Sequence, residues 1–115
     1  MQDCLFCKIV RGEIPCSKVY EDDEILAFRD IHPQRPVHVL VVPKKHMTSL
    51  ASVAPEDTAV LGRILQKAGE IARAEGSVEG FRLIINSGRI GGQEVDHLHA
   101  HIVGGPNPVG PMLQH

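Results

Sequence analysis

A chain of 115 residues has room for one hydrophobic core, so the sequence predicts a single domain over residues 1–115 with a C-terminal tail over 106–115. Its 43 % apolar and 23 % charged residues are typical of a globular protein, and a formal net charge of −2 argues against a nucleic acid polymer as partner. The apolar stretches are too short for a membrane span, no signal peptide pattern opens the chain, and three cysteines do not make a disulfide framework. We therefore expect a cytoplasmic protein with reduced thiols and no membrane partner.

The first half of the chain predicts short strands. Residues 6–10 form a short apolar segment, which predicts one or two helical turns or an irregular lead-in. Residues 18–21 and 24–29 predict two strands joined by a hairpin turn. Residues 37–42 are almost continuously apolar, which is typical of a central strand covered on both faces, and Pro43 should end that strand.

The second half predicts one long helix followed by two strands. Pro55 suits the first helical position, apolar residues then recur at three-to-four spacing, and Gly76 suits the position after the helix end. Strands at 81–86 and 97–103 follow, separated by a flexible loop that includes residues 88–92. This order predicts an α+β fold with the helix on one face of a sheet.

Three histidines stand at the alternate positions 97, 99 and 101 of the last predicted strand. Strand side chains alternate between two faces, so the three imidazoles share one face, with roughly 6.5–7 Å between neighbours. A single strand histidine is usually a satisfied surface or core residue, but three in strict alternation argue for function. The pattern leaves two functions open: zinc ligation, or nucleophilic attack on phosphorus by a neutral imidazole.

The loop before the histidines favours phosphorus chemistry. Gly91 and Gly92 are adjacent, and glycine lets backbone amides approach a phosphate closely. An attack on phosphorus also needs donors that hold the phosphoryl oxygens as charge develops, and such amides can supply them.

Residues 97–103, His-Leu-His-Ala-His-Ile-Val, resemble the signature of the histidine triad (HIT) family, in which three histidines alternate with apolar residues. The likeness runs from about Phe6 to the C-terminus and includes residues 12–15, 42–46 and 91–93. It is greatest to the nucleoside phosphoramidase branch of bacterial type. The resemblance implies an antiparallel sheet of about five strands with one long helix and a short N-terminal helix.

The resemblance also implies an activity and partners. The expected enzyme hydrolyses purine nucleoside phosphoramidates through a nucleotidyl-histidine intermediate, releasing a nucleoside monophosphate and an amine. No cofactor is required for that chemistry. A homodimer with the two sheets joined edge to edge is expected.

Residue roles follow from the resemblance. His99 is the expected nucleophile, His101 the partner of the phosphate oxygens, and His38 the residue that orients the triad and relays a proton; His97 completes the catalytic set. Apolar residues should form the slot for the base, and these are Phe6, Ile9, Ile14, Phe28 and Ile31. Asp30 should accept hydrogen bonds from the ribose hydroxyls. The phosphate region should be contacted by His99, His101, Asn86, Gly92, Gln93, Glu94 and the Val95 amide.

Glu94 is a departure within this set. Eukaryotic relatives carry serine at that position, and an anionic side chain cannot donate a hydrogen bond to phosphate. Either backbone donors replace that contact or Glu94 turns away from the phosphate.

Cys4 and Cys7 form a Cys-X-X-Cys pair, which supplies two of the four ligands of a structural zinc. In other HIT proteins such a pair joins a downstream histidine and the first triad histidine, which correspond here to His46 and His97. Free, packed cysteines are the open alternative. If zinc binds, its role is structural and His97 leaves the catalytic set.

Three other functions remain alternatives. A dinucleoside polyphosphate hydrolase belongs to another branch of the family, and a nucleotide-binding regulatory partner of another protein would need no turnover. A zinc enzyme that uses all three histidines is the third. A nucleotidylyltransferase fits less well, because that branch resembles His-Pro-His-Pro-Gln, whereas Ala100, His101 and Ile102 follow His99 here.

Overall fold

In a computed structural model, which describes residues 4–113, five strands and three α-helices are arranged around one antiparallel sheet. The helices are α1 (Leu5–Val10), α2 (Thr58–Ala74) and α3 (Gly88–Gly91). The strands are β1 (Lys18–Glu21), β2 (Ile25–Arg29), β3 (Val37–Pro43), β4 (Arg82–Ile84) and β5 (Ala100–Gly104). The α+β class, the five-stranded antiparallel sheet and the short N-terminal helix are confirmed.

The sheet order is β1-β2-β3-β5-β4, so β3 lies at the centre. Every residue of β3 is buried, as its continuous apolar sequence predicts. In the pairing of β3 with β5, Leu40 lies opposite His101 and His38 opposite Val103. This register determines which side chains share a face at the centre of the sheet.

The two faces of the sheet carry two separate apolar clusters. Helix α2 packs on one face, and its buried residues are Val60, Ile64, Ala68, Ile71 and Ala72. Alternate residues of β5, Ala100 and Ile102, point into the same cluster, together with Leu98 just before the strand. On the other face, Phe6 from α1 packs with alternate residues of β2 and β3. A cavity opens on this second face.

Helix α2 begins later than predicted, because Pro55–Asp57 forms a 3₁₀ turn that leads into it. Within this turn the Asp57 carboxylate accepts a hydrogen bond from the Ala54 amide at 2.9 Å and pairs with Lys45 at 2.6 Å. At the other end, Gly76 adopts a φ of +109°, a conformation that favours glycine after a helix.

The last strand is shorter than predicted, because residues 97–99 are outside the ladder. The Leu98 amide donates to the carbonyl of Met47 at 2.7 Å, and the Pro43 carbonyl contacts the His97 ring. The alternation of side chains nevertheless continues, with Leu98 in the α2 cluster and the His99 ring against Phe6 on the opposite face. Strand β4 is also shorter than the predicted 81–86.

The predicted flexible loop at 88–92 contains the four-residue helix α3. Gly92 follows it with a φ of +79°, and its amide donates to the Arg89 carbonyl at 3.2 Å. A left-handed backbone conformation at the end of a helix favours glycine, so Gly92 allows the chain to make this compact turn. Within residues 4–113, none of the helices is long and apolar enough to cross a membrane.

Replacing Gly104 with alanine should destabilise the fold. An added Cβ at Gly104 would lie 2.1 Å from Oγ of Ser77, a buried hydroxyl that donates to the Gly80 carbonyl and accepts from the Gly105 amide. We expect G104A to lower the free energy of unfolding by about 1–3 kcal/mol, the usual cost of overpacking, in urea titrations. The matched control is G62A on the exposed side of α2, where a Cβ meets nothing within 4 Å. That change should stabilise by about 0.5–1 kcal/mol, and an equal loss in both variants would contradict the steric explanation.

Candidate active site

A cavity of about 660 Å³ opens on the α1 face of the sheet. It is lined by every predicted nucleotide-binding residue except Gln93: Phe6, Ile9, Ile14, Phe28, Asp30, Ile31, Asn86, Gly92, Glu94, Val95, His99 and His101. His38 also lines it, whereas His97 does not. The structure therefore brings together residues from both halves of the chain.

One wall of the cavity is apolar and aromatic. The Phe6 ring packs edge-on against Phe28 and His99, with centroid distances of 5.7 and 5.1 Å. Phe6 is held by α1, whose first turn is capped by the Cys4 sulfur accepting a hydrogen bond from the Cys7 amide. Ile31 is 85 % exposed, so an apolar side chain stands at the cavity in contact with solvent. A flat, apolar ligand such as a nucleobase suits this wall.

A carboxylate, Asp30, lies between the apolar wall and the histidines. One of its oxygens accepts a hydrogen bond from the His32 amide at 2.8 Å. The other lies 3.4 Å from Nε2 of His38. The Asp30 amide donates to the His38 carbonyl at 3.0 Å, so the backbone also holds this residue beside β3. An oriented carboxylate of this kind can accept hydrogen bonds from ligand hydroxyls.

Hydrogen bonding assigns the tautomer of the neutral His99 ring. Its Nδ1 lies 2.8 Å from the carbonyl of His97, an acceptor, so Nδ1 carries the hydrogen and donates it. The other nitrogen, Nε2, is left with a lone pair. Because the side chain lines the cavity, His99 presents a nucleophilic nitrogen to a bound ligand.

Hydrogen bonding gives His101 the opposite tautomer. The Gln34 amide donates to Nδ1 of His38 at 3.0 Å, so the hydrogen of neutral His38 is on Nε2. That Nε2 donates to Nδ1 of His101 at 3.0 Å, which places the hydrogen of His101 on its own Nε2. His101 thus offers a hydrogen-bond donor where His99 offers a lone pair.

The electrostatic environment keeps His101 neutral. Burial, followed by the nearby imidazoles of His99 and His38, lowers the pKa of His101 to about 4. The ring centroids of His99 and His101 are only 5.0 Å apart, so a charge on one disfavours a charge on the other. Near pH 7 His101 is therefore a neutral donor.

Cys4, Cys7, His46 and His97 converge behind the cavity, with four candidate ligand atoms within 4.8 Å of one another. Nδ1 of His97 lies 3.2 Å from the Cys4 sulfur and 3.6 Å from the Cys7 sulfur, and Nδ1 of His46 lies 3.3 Å from the Cys7 sulfur. A tetrahedral zinc with ordinary Zn–S and Zn–N bonds requires ligand separations of about 3.3–3.8 Å, so these atoms fit.

The hydrogen bonds of the two histidines also suit a metal. Nε2 of His97 donates to the Pro43 carbonyl at 2.8 Å, which leaves the lone pair of Nδ1 directed at the cysteines. Nε2 of His46 is buried without a hydrogen-bond partner in the described part of the chain, so Nδ1, which faces the Cys7 sulfur, makes the only hydrogen-bond contact of the His46 ring there. Burial lowers the pKa of both imidazoles and raises the pKa of the Cys7 thiol. Neutral imidazoles are the ligating form, and a bound metal would supply the charge that favours the thiolate.

A second group, Asp30, His38 and His101, also has candidate ligand atoms within 4.8 Å of one another. The nitrogen that His38 directs at this group is Nε2, which carries the hydrogen because Nδ1 accepts from the Gln34 amide. A metal at Nε2 would move that hydrogen to Nδ1, against the amide. This group is therefore better suited to hydrogen bonding than to metal binding.

The HIT domain family model matches residues 11–107 of the chain. The chain belongs to the HIT family. This confirms the family that the sequence predicts.

Individual HIT relatives cover nearly the whole chain. The purine nucleoside phosphoramidase of Escherichia coli (strain K12) is 48 % identical over 115 residues, 99 % of this chain and 96 % of that protein. A 14 kDa zinc-binding protein of Brassica juncea is 49 % identical over 105 residues, 90 % of this chain and 93 % of that protein. A solved structure of a histidine triad protein from Clostridium difficile matches with a TM-score of 0.90 at 47 % identity, over 96 % of this chain and 97 % of that chain.

Two of the predicted catalytic and nucleotide-binding residues lie outside the cavity, as do the other predicted metal ligands, Cys4, Cys7 and His46. His97 is fully buried among the cysteines and contacts the back of Phe6 at a centroid distance of 5.8 Å. The side chain of Gln93 holds the glycine-rich turn. Its Oε1 accepts a hydrogen bond from the Gly88 amide, and its Nε2 donates to the backbone carbonyls of Thr48 and Val95. Both residues are placed to position the site.

The cavity is also lined by residues outside the predicted nucleotide-binding set: Leu5, Pro15, Cys16, Arg29, His32, Gln34 and Leu40. Leu40 follows His38 by two positions, so strand alternation alone could have placed it on the cavity face. Gln34 acts through its backbone amide, for which the sequence contains no signal. Glu94 is exposed at the cavity and has no hydrogen bond or ion pair within residues 4–113.

The lowered pKa of His101 predicts a pH-dependent contribution to stability. An unfolded histidine has a pKa of about 6.5, so between that value and about 4 the unfolded chain binds more protons than the folded one. The contribution of neutral His101 is fully present above about pH 6.5 and is lost as the pH falls toward about 4. The difference in unfolding free energy between the parent and H101Q should therefore shrink over this window in denaturant titrations. If the difference in unfolding free energy between the two proteins does not change with pH, the lowered pKa of His101 is contradicted.

Proposed function

We propose that this HIT protein hydrolyses purine nucleoside phosphoramidates. The observation that carries the proposal is the pair of opposite tautomers at one cavity: a lone pair on Nε2 of His99 and a hydrogen on Nε2 of His101. Attack on phosphorus needs both a nucleophile and a donor to the phosphoryl oxygens. The printed name of the Escherichia coli relative supports the same substrate class.

The reaction runs in two steps. Nε2 of His99 forms a bond to the α-phosphorus, and the P–N bond breaks. The P–N electron pair leaves with the amine, which takes a proton from water. Water then attacks the nucleotidyl-histidine, the N–P electron pair returns to His99, and the surplus proton goes to solvent. A nucleoside monophosphate is released, and His99 recovers its lone pair.

Each part of the nucleotide has its own set of contacting residues in the cavity. The base lies against the apolar residues around Phe6, and the Asp30 carboxylate accepts from the ribose hydroxyls. The Nε2 hydrogen of His101 and the amides of the glycine-rich turn hold the phosphoryl oxygens. Because the anionic Glu94 carboxylate cannot donate a hydrogen bond, the Glu94 side chain points away from the phosphate.

His38 acts mainly as an orienting residue in this proposal. Its Nδ1 accepts from the Gln34 amide, so a second proton at Nδ1 would face that amide hydrogen. A proton relay through His38 would require the amide to move. The hydrogen bond from His38 to His101 already places the donor where the phosphate needs it.

The H99A variant tests the nucleophile. It should lower kcat for adenosine phosphoramidate by at least about 10³-fold, because no second lone pair replaces Nε2. Binding of adenosine monophosphate, measured by calorimetry, should change by only a few fold, which shows that the cavity is still folded. Substantial turnover in H99A would contradict the mechanism.

A comparison of substrates tests the class of reaction. If a diadenosine triphosphate is hydrolysed with a higher kcat/KM than the adenosine phosphoramidate, the protein is a dinucleoside polyphosphate hydrolase. If H99A does not turn over substrate but still has the effect of the parent protein in the cell, the protein is a nucleotide-binding regulatory partner of another protein.

We further propose that Cys4, Cys7, His46 and His97 hold a structural zinc. Support comes from the ligand distances, from the His97 hydrogen bond to the Pro43 carbonyl and from the zinc-binding relative of Brassica juncea. The metal would tie α1 to the loop after β3 and to the start of the triad. In this role His97 positions His99 and takes no part in the chemistry.

Replacing the zinc ligands should lower the thermal stability of the protein more than its catalytic activity. C4S and C7S should each lose bound zinc, measured by elemental analysis, and lower the Tm by on the order of 10 °C. C16S is the matched control, because Cys16 lies outside the ligand group and should keep the zinc. A chelator that stops turnover while the fold stays intact would instead favour a zinc enzyme that uses all three histidines.

Assembly and location remain predictions of the sequence. The homodimer is supported by the two edge strands of the sheet, β1 and β4, which pair with no further strand on their outer sides within residues 4–113. A cytoplasmic location agrees with three free cysteines.

A further inference from the structure

The N–H group at Nε2 of His38 faces two acceptors. Nδ1 of His101 lies 3.0 Å from this nitrogen, and Oδ2 of Asp30 lies 3.4 Å from it. Nδ1 of His38 already accepts from the Gln34 amide, so neutral His38 carries a single hydrogen, on Nε2. Asp30 and His101 therefore compete for one hydrogen. The contact with Asp30 has no role in the reaction steps above.

The two acceptors differ in charge. A carboxylate accepts a stronger hydrogen bond than a neutral imidazole nitrogen, so Asp30 competes in spite of its longer distance. The His38 side chain is only 5 % exposed, so solvent offers this hydrogen no further acceptor. The hydrogen of His38 is thus divided between Asp30 and His101.

The tautomer of His101 depends on which acceptor receives this hydrogen. Within residues 4–113, His38 is the only group that hydrogen-bonds to a ring nitrogen of His101. When Asp30 takes the hydrogen bond, Nδ1 of His101 loses its donor, and the His101 hydrogen is free to move to Nδ1. Nε2 of His101 would then direct a lone pair at the phosphoryl oxygens, which are acceptors themselves.

The ribose hydroxyls of a bound nucleotide change this competition. In the proposed function they donate to the Asp30 carboxylate, whose side chain is 19 % exposed and lines the same cavity as His99 and His101. Oδ1 of Asp30 already accepts from the His32 amide at 2.8 Å, so Oδ2, the oxygen beside His38, has the more open lone pairs. An oxygen that accepts from a hydroxyl is a weaker acceptor for a second donor. The His38 hydrogen is then donated to His101 alone.

We propose that ribose recognition is coupled to phosphate recognition through the hydrogen that Asp30 and His101 share at His38. The ribose hydroxyls occupy Asp30, His38 donates to Nδ1 of His101, and Nε2 of His101 is thereby kept as the donor to the phosphoryl oxygens. Asp30 is then a positioning residue for His101 as well as a ribose ligand. This inference rests on the proposed function and adds no covalent step to it.

NMR of the ring nitrogens tests the coupling without turnover. Adenosine 5′-monophosphate and its 2′,3′-dideoxy analogue carry the same phosphate and differ only in the hydroxyls. At saturation, adenosine monophosphate should give His101 the nitrogen shifts of a hydrogen-bearing Nε2 and a bare Nδ1, whereas the analogue should leave both shifts closer to an average of the two tautomers. In D30A both ligands should give the first pattern, because no carboxylate competes for the hydrogen. The His101 signals are assigned by their loss in H101Q, and identical shifts with the two ligands in the parent protein overturn the proposal.

Single-turnover kinetics tests the consequence for the reaction. At saturating substrate, the parent should cleave adenosine phosphoramidate about three- to tenfold faster than its 2′,3′-dideoxy analogue, which is the rate effect of about one hydrogen bond. In H38F the Asp30 carboxylate still binds the ribose but has no contact with His101 through an imidazole. The two rate constants should therefore become equal, while the lower half-saturating concentration of the ribose substrate remains. A rate ratio that survives in H38F would show that the hydroxyls only orient the substrate, and would overturn the proposal.

Two variants of Asp30 separate its charge from its backbone contact. D30A should bring the rate ratio of the two substrates near one and also raise the half-saturating concentration of the ribose substrate. D30N keeps an oxygen for the His32 amide, so it should bring the rate ratio near one without loss of that contact. A parent rate ratio in D30N would show that the carboxylate does not compete for the hydrogen, which overturns the coupling.

D96N is the matched charge control. Asp96 is exposed, immediately precedes the triad and does not line the cavity, so D96N should keep the parent ratio. An equal loss of the ratio in D96N and D30N would show a general charge effect and overturn the coupling. A parent that hydrolyses neither phosphoramidate contradicts the proposed function, whereas the His101 shifts with the two monophosphates still decide the coupling.

Discussion

The register between β3 and β5 is the constraint on which the site depends. With Leu40 opposite His101, the side chains of His38 and His101 lie diagonally on one face, while Ala100 and Ile102 lie beneath α2. Strand side chains alternate with a period of two, so a slip of one residue would move His101 under the helix and an apolar residue into the cavity. The buried apolar residues of the α2 face therefore protect the geometry of the opposite face, because burying imidazoles in their place would cost free energy.

The partners of each ring give the three histidines of the triad different roles. A carbonyl holds the hydrogen of His99 on Nδ1, whereas a donor chain from the Gln34 amide through His38 holds the hydrogen of His101 on Nε2. The third ring, His97, has its Nε2 against a carbonyl and its Nδ1 against two cysteines. Three identical residues at alternate positions thus present a lone pair to the cavity, a donor to the cavity and a lone pair to the sulfurs of Cys4 and Cys7.

Burial supports these roles by keeping the imidazoles neutral. It lowers the pKa of His101, His97 and His46, and a neutral imidazole retains the lone pair that attack or ligation requires.

The sequence alone determined the family, the fold class and most of the cavity. The alternating histidines, the buried central strand and the helix that ends before Gly76 are local patterns, and local patterns are what periodicity and end signals report. Most of the residues that the resemblance to the HIT family implies for nucleotide binding line one cavity. Only the tertiary structure decided which nitrogen of each histidine carries the hydrogen, because those partners are backbone groups such as the Gln34 amide and the carbonyls of Pro43 and His97. It also decided that Gln93 holds the turn and that Asp30 and His101 both lie beside Nε2 of His38. These are contacts between segments that are distant in the sequence. Every residue other than proline has the same backbone amide and carbonyl, so only the fold determines which of these groups faces a given side chain.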